Sequence, residues 1–171
     1  MSFLPLPTGC CSYPDCWPGQ TVSNRCRCDE AIGQLRRQPP SREVVRLLDR
    51  ISDSACHAAD AAKFCADVHS DPAWRDAASA ASDSMCEYIA QLNTKQVLCD
   101  KLAATMEAVE AASEQERQAD GWTQEEVAVG ASLLLEFEHA GMGQRQEVRE
   151  EYRALMQHQQ TLTAQLAHFE V

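Results

Sequence analysis

Any chemistry carried by this chain has to come from its five histidines, its nine cysteines and a few paired acids and bases. The histidines are His57, His69, His139, His158 and His168, and no two stand four apart with a glutamate directly after the first. The zinc-peptidase arrangement, two histidines on one helix face flanking a glutamate that acts as general base, cannot be built from them. Glu136 and His139 make a single Glu-x-x-His step. Di-iron bundles need that step twice, with further glutamates from other helices, so the pair reads as a surface contact near a helix end. His57 and Asp60 are three residues apart on a helical pattern, which makes them local neighbours rather than an acid–base couple.

Five cysteines, Cys10, Cys11, Cys16, Cys26 and Cys28, crowd into the first 28 residues. They contain no C-x-x-C pair, and an odd total behind no secretory signal disfavours a disulfide framework. Cys56, Cys65, Cys86 and Cys99 fall on helical patterns and are expected to be small buried hydrophobes. There is no glycine-rich phosphate loop and no G-x-S-x-G turn. No residue is therefore assigned a catalytic, cofactor-binding or metal-binding role, and by its own residues the chain should not hydrolyse peptides.

Composition narrows what holds these residues in place. A chain of 171 residues is one or at most two domains, and buries roughly 70% of the surface it would expose unfolded. Apolar residues make up 44% of it and aromatic ones only 6%, so the core must be Ala, Leu, Val and Met, which suits closely packed helices better than sheets. The net charge of -11 opposes attraction to phosphate backbones, so nucleic acid is not an expected partner. The seven arginines between Arg25 and Arg50 are interleaved with Asp29, Glu30, Glu43 and Asp49 and read as a solvated face. No run approaches the roughly 18 apolar residues of a membrane span.

All seven prolines lie at or before Pro72. Residues 1–20 are expected to be an irregular or disordered lead, and residues 21–171 an all-α array of five or six helices. A first helix is predicted from about Val22 to Arg37, stopped by Pro39 and Pro40. A second begins after Ser41 and aligns Val44, Leu48, Ile51, Ala55, Ala58, Ala62 and Cys65 at steps of four and three. Asp71 and Pro72 start a third, with Trp74, Ala78, Ala81, Met85, Tyr88 and Leu92 on one stripe, antiparallel to the second. Thr94 is expected to cap a fourth carrying Leu98, Leu102, Met106 and Val109, followed by a polar linker over 110–120. Thr123 with Glu126 fits a capping box opening a helix with Val127, Ala131, Leu134 and Leu135, ended by Gly141. From about Gln144 a last helix aligns Val148, Tyr152, Leu155, Leu162, Leu166 and Phe169, with Gln159 interrupting. Its stripe runs to the final residues, which is expected of a chain that is cut off.

Four segments in order carry a resemblance. LDRISDSACHAAD (Leu48 to Asp60), HSDPAWRDAASAA (His69 to Ala81), LNTKQVLCDKL (Leu92 to Leu102) and TQEEVAVGASLLLEFEHAGMG (Thr123 to Gly143) resemble the N-terminal helical region of the mitochondrial intermediate peptidases, within the thimet-oligopeptidase-like metallopeptidases. The resemblance covers Pro39 to about Val171, with a weaker echo over Pro14 to Leu35. It implies a helical wall of a deep peptide channel and, for a longer protein, zinc-dependent removal of short N-terminal peptides from imported precursors. The partners implied are the missing catalytic domain and a peptide substrate. The implied location is the mitochondrial matrix, yet the first base is Arg25, so no transit peptide is recognisable and the cytoplasm is the other expectation. Three readings stand: part of a full metallopeptidase, a stand-alone inactive helical peptide-binding module, or a plain helical interaction protein.

Overall fold

The computed structural model describes residues 14–167. The expectations for residues 1–13, Cys10 and Cys11 among them, and for His168, Phe169 and Val171 fall outside that range. Within it the chain is all-α, in the order α1 (Cys16–Arg37), α2 (Arg42–Val68), α3 (Pro72–Asn93), α4 (Gln96–Ala111), α5 (Glu114–Ala119), α6 (Gln124–His139) and α7 (Gln146–Ala167).

α2 is the central element. It packs most extensively on α3, then on α1, and also meets α4 and α6. Its predicted stripe is buried at Val44, Leu48, Ile51, Ala55 and Ala62, and widens to include Val45, Leu47 and Ala59, because neighbours cover more than one side of it. Ala58 is only partly covered and Cys65 is half-buried. α3 lies against the alanine half of α2 and buries Ala78, Ala81, Ser82, Met85, Tyr88 and Leu92. The small side chains of both stripes are what let these two helices approach. α3 starts as predicted: the Asp71 carboxylate accepts from the Ala73 N–H at 2.9 Å, and Pro72 occupies the first turn. Trp74 is half-buried and its ring stacks on His69, 5.0 Å between centroids.

Four expectations need correction. α1 begins at Cys16 rather than Val22. Pro18 does not prevent this, because it sits in the first turn, where backbone N–H groups have no intrahelical acceptor to lose. Thr94 does not cap α4; it ends α3, its hydroxyl donating back to the Ala90 and Gln91 carbonyls, and Lys95 precedes α4. The stretch 110–120 is not a simple linker. Ser113 and Glu116 form a second capping box that nucleates α5, a helix with no buried residue. In α6 the inward positions are Val127, Gly130, Leu133, Leu134 and Phe137, while Ala131 is exposed and Leu135 is 50% exposed.

α5 and α6 end alike. Gly121 (φ 74) and Gly141 (φ 80) hold the left-handed conformation that only glycine adopts freely. After α6, Gly141 N–H donates to the Glu138 carbonyl and Met142 N–H to the Phe137 carbonyl, both at 2.9 Å, and Met142 and Phe137 are both buried. After α5, Gly121 N–H bonds the Gln118 carbonyl and Trp122 N–H the Arg117 carbonyl. These are two Schellman stops, and the second turns Trp122 in toward the core.

Candidate functional site

Among the described residues, the side chains singled out for possible chemistry do not converge. His57 and Asp60 are both exposed on α2, and Glu136 and His139 are both exposed on α6. His158 is exposed on α7 and His69 is held in the α2–α3 turn, where its Nδ1 accepts from the Asp71 N–H at 3.1 Å. Among the described residues, no three His, Cys, Asp or Glu side chains are grouped so as to hold a metal ion. The seven described cysteines are free thiols.

The expectation that Cys56, Cys65, Cys86 and Cys99 are buried is corrected. Cys65, Cys86 and Cys99 are half-buried and Cys56 is exposed, since it lies one step around α2 from the inward Ala55. Cys28, on α1, is the buried one, with its Sγ 3.7 Å from the Ile51 carbonyl. Burial pushes the thiols of Cys28, Cys65, Cys86 and Cys99 up in pKa, with nearby acids such as Asp29 and Asp83 adding to it for some. Thiols held protonated are poor nucleophiles and poor metal ligands.

Two charged clusters organise the structure. On one side, Tyr88 donates to the Asp29 carboxylate at 2.8 Å, and the Arg25 guanidinium stands 4.9 Å from the centre of the Tyr88 ring. Burial first, and then the bond to Asp29, push the Tyr88 phenol well above its ordinary pKa. On the other side, the Glu126 carboxylate at the start of α6 accepts from Arg42 at 2.9 Å and Arg46 at 2.6 Å, both on α2. The arginine-rich stretch is thus partly a clamp between helices far apart in sequence, and partly the solvated face expected of it.

Two further surfaces could receive a partner. An apolar cavity of about 50 Å³ lies between α2, the end of α3, the start of α4 and α6, with Leu48, Ile51, Leu98, Leu133 and Phe137 in its wall. It admits no more than a small apolar group. α7 is different in kind. Val148 is 41% exposed, Leu155 62%, Leu162 46% and Leu166 65%, so the predicted stripe stands open along the helix. With Tyr152 and Gln159 between them, these residues follow alternating steps of four and three, the spacing of a helix–helix seam. Arg149 tethers the start of α7 by donating to the Gln96 side chain of α4.

No family model matches the chain. No solved structure matches it either. Curated proteins do. The chain is 34% identical over 133 residues to the mitochondrial intermediate peptidase of Candida glabrata, a match covering 74% of this chain and 16% of that protein. The corresponding protein of Vanderwaltozyma polyspora is 34% identical over 138 residues, covering 81% of this chain and 16% of the relative. That of Mycosarcoma maydis is 36% identical over 101 residues, covering 59% and 11%.

This chain is related to the mitochondrial intermediate peptidases. It spans only 11–16% of the length of these relatives. The zinc chemistry that the resemblance implies does not fit the residues present, because no histidine pair has the required spacing and no ligand group is assembled among the described residues. What the chain shares with the mitochondrial intermediate peptidases is a stretch of 101–138 residues that folds here as helices. No helix among the described residues is long and apolar enough to cross a membrane.

Proposed function

We propose that this chain is the N-terminal, non-catalytic helical portion of a mitochondrial intermediate peptidase-like zinc metalloendopeptidase. In that reading, another part of the same polypeptide supplies the zinc site. The activity of the whole is the removal of short N-terminal peptides from precursors imported into the mitochondrial matrix. The observation that carries this is the match to mitochondrial intermediate peptidases over most of this chain but about a sixth of theirs.

The open face of α7 supports it. Four exposed aliphatic side chains at seam spacing leave apolar area in water that an apolar helix elsewhere in a longer chain would cover. The occupant of that face is then the remainder of the polypeptide, which in the relatives is several times longer than the matched stretch.

The test is the size of the native product. An antibody raised against residues 42–111 is used on cell extract, and the transcript is sequenced beyond the codon for Val171. A product several times larger, in frame with an HExxH helix, is expected. A native product of 171 residues would overturn the proposal and make the chain a stand-alone inactive helical module.

A further inference from the structure

Cys56 lies on α2 and Cys86 on α3, the two helices with the most extensive contact in the fold. They form a hairpin about the turn at 69–71, with Cys56 standing 13 residues before His69 and Cys86 15 residues after Asp71. At about 1.5 Å of rise per residue, the two thiols are level along the hairpin to within about 3 Å.

They also face the same side of it. Cys56 shares the wall of the apolar cavity with Ile89, and Ile89 is one turn beyond Cys86 on α3. On α2, the residue one turn beyond Cys56 is Asp60. The Cys86 thiol is close enough to both Cys56 and Asp60 to feel their charge, so it sits against the step between two successive turns of α2. Among Cys28, Cys65, Cys86 and Cys99, Cys86 alone has a second thiol acting on it in this way. Small side chains hold the two backbones together here: Ala55 and Ala59, beside Cys56 on α2, are buried, as are Ala78 and Ala81 of α3. A disulfide needs such an approach, because its Cα atoms must come within roughly 4.4–6.8 Å.

The two thiols differ in access, which gives them different tasks. Cys56 is exposed and Cys86 is half-buried, so an oxidant in solution meets Cys56 first. Burial holds the Cys86 thiol protonated, while a hydrogen bond with Ser82 favours its thiolate. We propose that Cys56 and Cys86 are a redox pair that closes into a disulfide, stapling α2 to α3, when the chain meets a small-molecule disulfide. Cys56 gives up its proton and attacks one sulfur of that disulfide; the departing small thiolate takes up a proton, and Cys56 is left in a mixed disulfide. Cys86 then loses its proton, attacks the Cys56 sulfur and expels the second small thiolate, which is protonated in turn. Two protein thiols are oxidised to one disulfide and one small disulfide is reduced to two thiols. Excess small thiol runs both steps backward. The staple joins two residues of this chain alone, so it stands or falls apart from the peptidase reading.

The experiment incubates the folded full chain with oxidised glutathione, alkylates the remaining thiols and maps a non-reduced digest by mass spectrometry. A linked peptide pair containing Cys56 and Cys86 is expected as the main product, in a chain lighter than its reduced form by about 2 Da. Oxidation should raise Tm by about 4–10 °C, because the closed loop removes freedom from the unfolded chain, and dithiothreitol should reverse the rise. Cys56→Ser should abolish both the link and the rise. Cys86→Ser should stop at the mixed disulfide, heavier by about one glutathione, and Cys86→Ala replaces it if the serine variant does not melt cooperatively. The inference is overturned if Cys86 of the native chain is recovered alkylated after oxidation, or if Cys56 or Cys86 is found mainly linked to another cysteine. It is equally overturned if the mapped link leaves Tm within about 1 °C of the reduced chain.

Discussion

Replacing Glu126 tests how α6 is held on α2. Its carboxylate serves two structures at once. One oxygen accepts from Arg42 and Arg46, and the other accepts from the Thr123 N–H at 3.1 Å, closing the capping box of α6. Only 14% of the side chain is exposed. Burial alone would raise its pKa, but the bonds from Arg42, the Thr123 backbone and Arg46 outweigh it and bring the carboxyl down to about 2. An unfolded glutamate titrates near about 4.3, so the ionised form is favoured by folding, by at most about 3 kcal/mol. Because Arg46 is half-exposed, roughly 1–2 kcal/mol of that should survive solvent screening. Glu126→Gln keeps a side chain able to close the box and should lose about 1–2 kcal/mol. Glu126→Ala also loses the cap and should lose about 2–3 kcal/mol, or about 4–10 °C in Tm for a chain of this size.

The pH dependence has a definite sign. A carboxyl whose pKa is depressed on folding contributes in full above its unfolded pKa, and loses that contribution as pH falls through its folded pKa. The gap between the native chain and Glu126→Gln should therefore be constant from pH 7 to about 5, fall by roughly half at pH 3, and nearly vanish at pH 2. Urea unfolding followed by far-ultraviolet circular dichroism measures it at each pH. Glu116→Ala is the control, because Glu116 closes the same kind of box on α5, a helix with no buried residue, and its carboxylate bonds only within that box. It should leave the global transition unmoved. The reasoning is refuted if Glu126→Ala melts within about 1 °C of the native chain, or if its penalty at pH 3 equals that at pH 7.

Two further substitutions probe the packing. Leu102 on α4 is fully buried, and Leu102→Ala should cost about 2–5 kcal/mol in urea unfolding; a loss below about 1 kcal/mol would mean that α4 is not closed against the core as described. Gly130→Ala would place a methyl 2.5 Å from Met106 Sδ and 3.3 Å from Val45 Cγ2. Overpacking of about 1–3 kcal/mol should exceed the helix-propensity gain of roughly 1 kcal/mol, and hydrogen exchange should quicken in α6 before α2; a stabilised variant would show that Met106 moves aside freely.

The parts of this fold legible in the sequence are those fixed by neighbours along the chain. The four-and-three spacing of Val44, Leu48, Ile51, Ala55 and Ala62 identifies α2, and Asp71 with Pro72, and Thr123 with Glu126, mark helix starts that the structure keeps. α5 escaped because its capping box, Ser113 with Glu116, opens onto no apolar stripe. Thr94 misled because a threonine at a helix boundary can bond backward to the preceding helix as well as cap the next. The helix clamp had no local signal. Arg42 and Glu126 are brought together by α2–α6 packing, and neither spacing nor composition reports a contact across that many residues. The inward face of α6 lacks a local signal for a related reason: Gly130 carries no side chain, yet it faces Met106 of α4 and Val45 of α2.

α2 packs mainly on the helices that directly flank it in sequence. A chain whose principal partners are consecutive closes mostly short loops, and the entropy lost in each closure is small. Folding can then follow synthesis: α1 and α2 can pair once both have left the ribosome, α3 can add to a surface already formed, and α6 needs only α2 and α4, which precede it. α7 follows them with its aliphatic stripe still open, so its exposed face is the last described surface to form.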